Sequence, residues 1–250
     1  MQANTIEEVI VLLETIVSEA LEKNDRTGIF AQLYLGFTRQ VKEGIENGIF
    51  ENGDRMKTLD VIFASRYLTA LQNYKSGNGE VTQAWLTAFE AAKNDKLLVI
   101  QHLFMGMNAH INLDLGIAAF KTGLPSELPL LKNDFDLINT LLVQNIESMQ
   151  ENLNKLSPLL FLLDWVGKKS DEHLMAFSLR KARAHAWSVA TRLTKISNKK
   201  EEESQVEELD NYVALLNKFI TDPGIIGGIL IKVIKWFEEK NTANIINGIQ

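Results

Sequence analysis

No cysteine occurs anywhere in the sequence, which excludes a disulfide framework and every thiolate metal site. Proline is scarce, four in 250 residues, so helices can run long without interruption. No unbroken apolar run reaches the roughly 18 residues that suggest a membrane span. The N-terminus, MQANTIEEVIVLLE, lacks a basic region and carries Glu7, Glu8 and Glu14 among its apolar residues, unlike a secretory signal. A cytoplasmic protein that does not enter the membrane is the expectation. Basic residues are the minority charge: the net charge is −6, which argues against nucleic-acid binding through phosphate neutralisation. A small-molecule ligand or substrate, or a protein partner, fits better.

What is present is an apolar fraction of 46% and no Pro/Gly/Ser-rich linker, so one compact domain over residues 1–250 is expected. Apolar residues recur at helical spacing and no segment alternates like a strand. The expectation is all-α, about ten helices around a buried central helix at about 96–120. Thr5-Ile6-Glu7-Glu8 has the form of a capping box and opens the first helix. A second is expected at about Ile29 to Ile45, a third from Asp54 to Tyr74, and a fourth, carrying Trp85 and Phe89, from a Thr82 cap. Ser157-Pro158 reads as the N-cap and first residue of a short helix, LLFLLDWVG, whose one charge is Asp164. The strongly apolar segment GIIGGILIKVIKWFEEK is either a core helix or a contact with a second subunit, a possible homo-oligomer.

The stretch LLVIQHLFMGMNAHINLDLGIAAF, residues 97 to 120, is the one in which ionisable groups sit inside an apolar run. Read as a helix it is apolar all round, the pattern of a helix buried on every side. Its polar residues form two stripes: His102, His110 and Asp114 on one, and Gln101, Asn108 and Asn112 on another. His110 and Asp114, four apart, are near enough to hydrogen-bond each other or to share a cation. Gly106 leaves a notch between the two histidines where a ligand, a water or another helix can approach. Three readings stay open: a divalent metal site, since imidazole and carboxylate suit such ions; an acid/base pair in which Asp114 orients His110; and a structural pair tying helices together. For Gln101, Asn108 and Asn112 the plainer reading is amides bridging neighbouring helices.

Outside this stretch, Asp60 and Tyr67 share a helical face with Phe63 and Ala64, which makes Asp60 a candidate buried carboxylate. Arg66 projects from a different side, and a solvated face or an interhelical salt bridge accounts equally for either charge. Arg183 and Trp187, four apart, can stack and present a guanidinium to an anion. All four histidines, His102, His110, His173 and His185, lie between residues 102 and 185.

The segment QHLFMGMNAHINLDLG resembles an uncharacterised bacterial all-helical family, one of unknown function, with the signature QH-L-x-G-x-NAHIN-x-DLP. The similarity extends through RMKTLDVIFASRYLTAL, WLTAF and ARAHAW. Carried over residue by residue, it implies roles for Asp60, Arg66, Tyr67, Gln101, His102, Gly106, Asn108, His110, Asn112, Asp114, Arg183 and Trp187; His185 falls outside it. Gly116 stands where the family has proline. A His-x-x-x-Asp pair on a buried helix is also remotely similar to the helical zinc-dependent phospholipases and nucleases, but four histidines are too few for their tri-zinc site.

These readings lead to an uncharacterised protein with three candidate functions. The first is a metal-dependent hydrolase of a small ester or phosphoester. In it His110, Asp114, His102 and Asp60 hold zinc, manganese or iron, and Arg183 holds an anionic group. The second is a non-catalytic small-ligand binder with its ligand at the Gly106 notch. The third is a purely structural network of buried His, Asn and Asp.

Overall fold

A computed structural model describes residues 2–160, 162, 179–222 and 224–249, without the side chains of 142–150 and 226. All regular structure among them is helical. The first four helices are α1 (Ile6–Lys23), α2 (Thr27–Glu46), α3 (Gly53–Ser76) and α4 (Gln83–Ala92). The central rod follows as α5 (Val99–Met107), a π-helical stretch Asn108–Asp114, and α6 (Leu115–Lys121). A 3-10 segment Pro125–Leu131 leads into α7 (Lys132–Leu156). Last come α8 (Leu179–Leu193), α9 (Lys199–Thr221), α10 (Gly224–Phe237) and α11 (Thr242–Asn247). Among the described residues no helix is long and apolar enough to cross a membrane.

The expected central helix is found, and helices α2, α3, α4, α8 and α9 pack around it. Its apolar circumference is the reason: Leu103, Ala109, Leu113 and Ile117 are all essentially inaccessible to solvent. Gly116 allows a close backbone approach, because a Cβ there would lie 2.7 Å from the Ala186 carbonyl of α8. The Gly106 notch exists but is filled: the Phe30 ring of α2 lies where a Cβ would be, 2.5 Å away. The space left beside Gly106 is a cavity of about 20 Å³.

Several boundaries differ from expectation for identifiable reasons. Thr5 caps α1 as read, accepting from the Glu8 amide at 3.2 Å. Helix α3 is capped by Asn52, whose side chain accepts from the Arg55 amide, and Asp54 lies inside the first turn. Ser157 ends α7, its amide bonded to the Leu153 carbonyl, and 158–160 form a turn; most of the short helix expected after Pro158 lies outside the described residues. Asp164 and His173 lie outside the described residues.

Three helix N-termini are closed by carboxylates from distant elements. Asp134 of α7 accepts from the Glu51 and Asn52 amides at 2.7 and 3.1 Å, and from Arg55. Asp210 of α9 accepts from the Gln83 and Ala84 amides of α4 at 2.7 and 2.8 Å. Glu238, just after α10, accepts from the Val99 amide of α5 at 3.1 Å, from the Ser157 hydroxyl and from Lys235. Each carboxylate meets amides that have no intrahelical acceptor, at the positive end of the helix dipole. A carboxylate used this way also fixes the relative position of two helices far apart in sequence. Thr82 does sit at the N-cap position of α4, but its side chain makes no capping bond; Asp210 does that.

Helix α10 buries Ile234 but leaves Ile225, Ile229, Val233 and Trp236 exposed along one stripe.

Replacing Glu238 by alanine strands the Val99 amide, the Ser157 hydroxyl and Lys235. The expected loss is about 1–3 kcal/mol, a fall in Tm of several degrees by differential scanning calorimetry. A Tm equal to wild type would show that this junction does not hold α5 in place.

Candidate functional site

The site begins with the π-helical turn. Between Asn108 and Asp114 the rod widens from i→i+4 to i→i+5 bonding, a local irregularity often found at functional positions. Sequence spacing alone predicts an ordinary α-helix here. The turn directs two sets of side chains to different neighbours.

The amides face α9 and α4. Asn112 donates to Asn108 at 2.8 Å, Asn108 donates to the Val213 carbonyl and to Asn217, both at 2.9 Å, and Asn217 reaches the Ala84 carbonyl and Thr87. Gln101 accepts from the Leu98 amide and donates to the Ile220 carbonyl. Asn108, Asn217 and Gln101 bridge helices, the plainer reading, while the Asn112 bond stays within the rod.

On another side, Asp114 is 1% exposed and accepts from three elements. Arg66 Nε of α3 is at 2.6 Å, Trp85 Nε1 of α4 at 2.7 Å, and His110 Nδ1 at 3.4 Å. Burial works to raise this carboxyl, but Arg66, His110 and Trp85 outweigh it and hold it below its ordinary range. An ionised carboxylate only accepts, so the His110 proton that meets it sits on Nδ1. Nε2 is then a free lone pair.

The His110 ring is clamped by aromatics. It stacks on Phe63 with centroids 3.5 Å apart and planes at 8°, and meets Tyr34 edge-on at 4.4 Å. Phe30 and Trp85 stand at 5.8 Å. Burial lowers its pKa despite Asp114, so the ring is neutral at neutral pH. Nε2 is buried and has no hydrogen-bond partner among the described residues.

Nor do two other buried polar atoms nearby, Asp60 Oδ2 and the Tyr34 hydroxyl. These three residues line one pocket of about 90 Å³, whose other walls include Met56, Leu59, Phe63, Ile111 and Leu115. Burial alone pushes the Asp60 carboxyl up to about 7 and, with Asp60 adding to it, pushes the Tyr34 phenol well above its ordinary value. Asp60, an expected buried carboxylate, thus lines the same pocket as His110. Tyr34, Phe63 and Trp85 were not singled out by sequence reasoning, because a ring on a core-facing stripe looks the same whether or not it frames a site. The one available signal was the helical face that Phe63 shares with Asp60.

The other expected residues lie elsewhere. His102 adjoins a separate cavity of about 20 Å³ with Arg26, Thr27 and Tyr67. Burial, with Lys235 and Arg26, takes its imidazole down to about 3, and neither ring nitrogen has a partner. The Tyr67 hydroxyl is likewise buried without a partner. Arg66 and Asp114 border an open groove of about 770 Å³ with Trp85 and Lys121. Arg183 does line the His110 pocket, but it stacks over Phe135, 4.4 Å from the ring centroid, and not on Trp187. Trp187 instead receives Lys132 at 5.4 Å.

The expected metal ligands therefore fall into different groups. Among the described residues no three His, Asp or Glu side chains come together to hold an ion. The Asp114 oxygens are already engaged by Arg66, Trp85 and His110. What the described residues do bring together is an imidazole held from behind by Asp114, with its other nitrogen at an apolar pocket.

Asp60 gives a pH test. Its folded pKa lies above the ordinary 3.8, so its contribution to stability is full below 3.8 and is lost as pH rises through about 7. Asp60→Asn does not titrate. Its stability relative to wild type is expected to rise across that window by a few kcal/mol, read from urea unfolding at several pH values. A difference independent of pH would show that Asp60 ionises normally.

Among curated proteins and among solved structures, none matches this chain. The model of an uncharacterised family, described as "Family of unknown function (DUF5995)", matches residues 6–223 and so takes in every residue of this site. The match covers most of the sequence, and the chain belongs to that family of unknown function.

Proposed function

We propose that the protein binds a small, largely apolar molecule in the His110 pocket and hydrolyses a short ester there without a metal. The observation that carries this is the buried, unpartnered Nε2 of His110, in one pocket with Asp60 and Tyr34. An apolar pocket with a few convergent polar groups and displaced pKa values is the usual form of a small-molecule site.

In this reading neutral His110 takes a proton from a water, and the water oxygen attacks the ester carbonyl. The Tyr34 hydroxyl and the protonated Asp60 carboxyl supply hydrogen bonds to the oxyanion. The imidazolium, stabilised by Asp114, then returns the proton to the departing alkoxide. The products are a carboxylic acid and an alcohol. Stacking on Phe63 keeps the ring from rotating away between these steps.

A second reading, in which the polar set only fixes the packing, is favoured at Asp114 itself, whose oxygens are fully partnered. It does not account for Asp60 Oδ2 or His110 Nε2.

The test is turnover of the four-carbon esters methyl propanoate and ethyl acetate, followed by NMR. Wild type treated with a chelator is expected to retain activity, and His110→Gln to lose about 100-fold or more in kcat/KM. Because the acid form of Asp60 is lost above about 7, kcat/KM is expected to fall above that pH in wild type and not in Asp60→Asn. Activity abolished by chelation would overturn the metal-free reading. Binding with no turnover of any short ester would leave a binding protein and remove the enzyme.

A further inference from the structure

We propose that the ligand of this pocket is a short apolar monocarboxylate, with Arg183 as the residue that receives its carboxylate. This rests on the reading of the pocket as a small-molecule site and adds the class of molecule it takes.

Arg183 is 5% exposed, deep for a guanidinium, because a buried charge is costly unless it is paired. Here it has no carboxylate partner among the described residues: its protein contacts are one Nη2 hydrogen bond to the Phe135 carbonyl and the face of the Phe135 ring. Its Nε is buried with no hydrogen-bond partner. Burial lowers the group to about 10, with Asp136 working against it. It is therefore a cation at neutral pH. A cation buried in an apolar wall, with its Nε–H still without an acceptor among the described residues, suits an incoming carboxylate oxygen.

The pocket is lined by polar groups of two kinds, the Asp60 carboxyl and the Arg183 guanidinium. Apolar side chains, among them Leu59, Phe63, Ile111 and Leu115, line the same pocket. A molecule lying along them places its anionic end on Arg183 and its body on the apolar wall. Arg183 is the one cationic side chain among the described residues lining the pocket, which suits a single negative charge better than the two of a phosphate monoester. Size bounds the body as well: about 90 Å³ is smaller than the roughly 150 Å³ that admits a benzene, so about four carbons is the scale. The acid released from a short ester is such a molecule.

The experiment compares butanoate with butanamide, the same shape without the charge. Dissociation constants are measured by NMR titration on the full chain, for wild type, Arg183→Gln and Arg183→Lys, with the His110 ring signals as reporter. The expected result is butanoate binding about tenfold or more tighter than butanamide to wild type, with the preference gone in Arg183→Gln and partly kept in Arg183→Lys. If Arg183→Gln does not fold, the wild-type preference still decides. It should vanish as pH falls through roughly 4 to 5, where the ligand carboxyl takes up its proton. Equal affinity for the two molecules, with His110 signals shifting for both, would overturn the role of Arg183 and leave the pocket reading in place. His110 signals that move with neither molecule would overturn the pocket reading and this inference with it.

Discussion

A single ionised carboxylate buried in the middle of a helical protein has to be neutralised where it stands, and Asp114 meets that requirement by drawing three elements together. Arg66 comes from α3, Trp85 from α4, and His110 from the same rod one turn earlier. Losing any of these donors leaves a buried charge short of partners, which is among the more costly defects a core can carry. The contact therefore fixes where the π-helical turn sits and which neighbours face it. It also fixes the tautomer and direction of the His110 ring, so the chemistry available in the pocket follows from a structural need.

The same physics recurs at the helix ends. With no disulfide to set relative positions, the protein uses Asp134, Asp210 and Glu238 to close the first turns of α3, α4 and α5 from elements 79 or more residues away in sequence. A capping bond is short-range and directional, so each one specifies a register as well as an energy. The amide chain through Asn112, Asn108 and Asn217 does likewise between the rod, α9 and α4. Apolar burial brings these helices together. The polar contacts determine how they are aligned.

Set against this background of satisfied groups, the unpartnered ones are informative. Asp114, Asn108 and Gln101 find their partners among the described residues. His110 Nε2, Asp60 Oδ2, the Tyr34 hydroxyl and Arg183 Nε do not, and all four belong to residues lining one pocket. His102 is also unpartnered, but it adjoins a cavity of about 20 Å³, enough for roughly one water.

The sequence by itself determined the all-helical class, the buried central rod and the pairing of His110 with Asp114, because a 3.6-residue period and an i,i+4 spacing are local properties. It also singled out Asp60, Arg66, Asn108, Asn112 and Arg183 as polar residues in unusual positions. Only the tertiary structure decided how they divide. It put Arg66 on Asp114, Asp60 in the pocket of His110, His102 in a different cavity and Phe30 in the Gly106 notch, so that the expected four-ligand metal set does not come together. Those outcomes depend on which helices cross at which angle and on one extra residue in the turn of the rod. A change of one residue per turn rotates every later side chain to a new neighbour, and no local pattern in the chain records it.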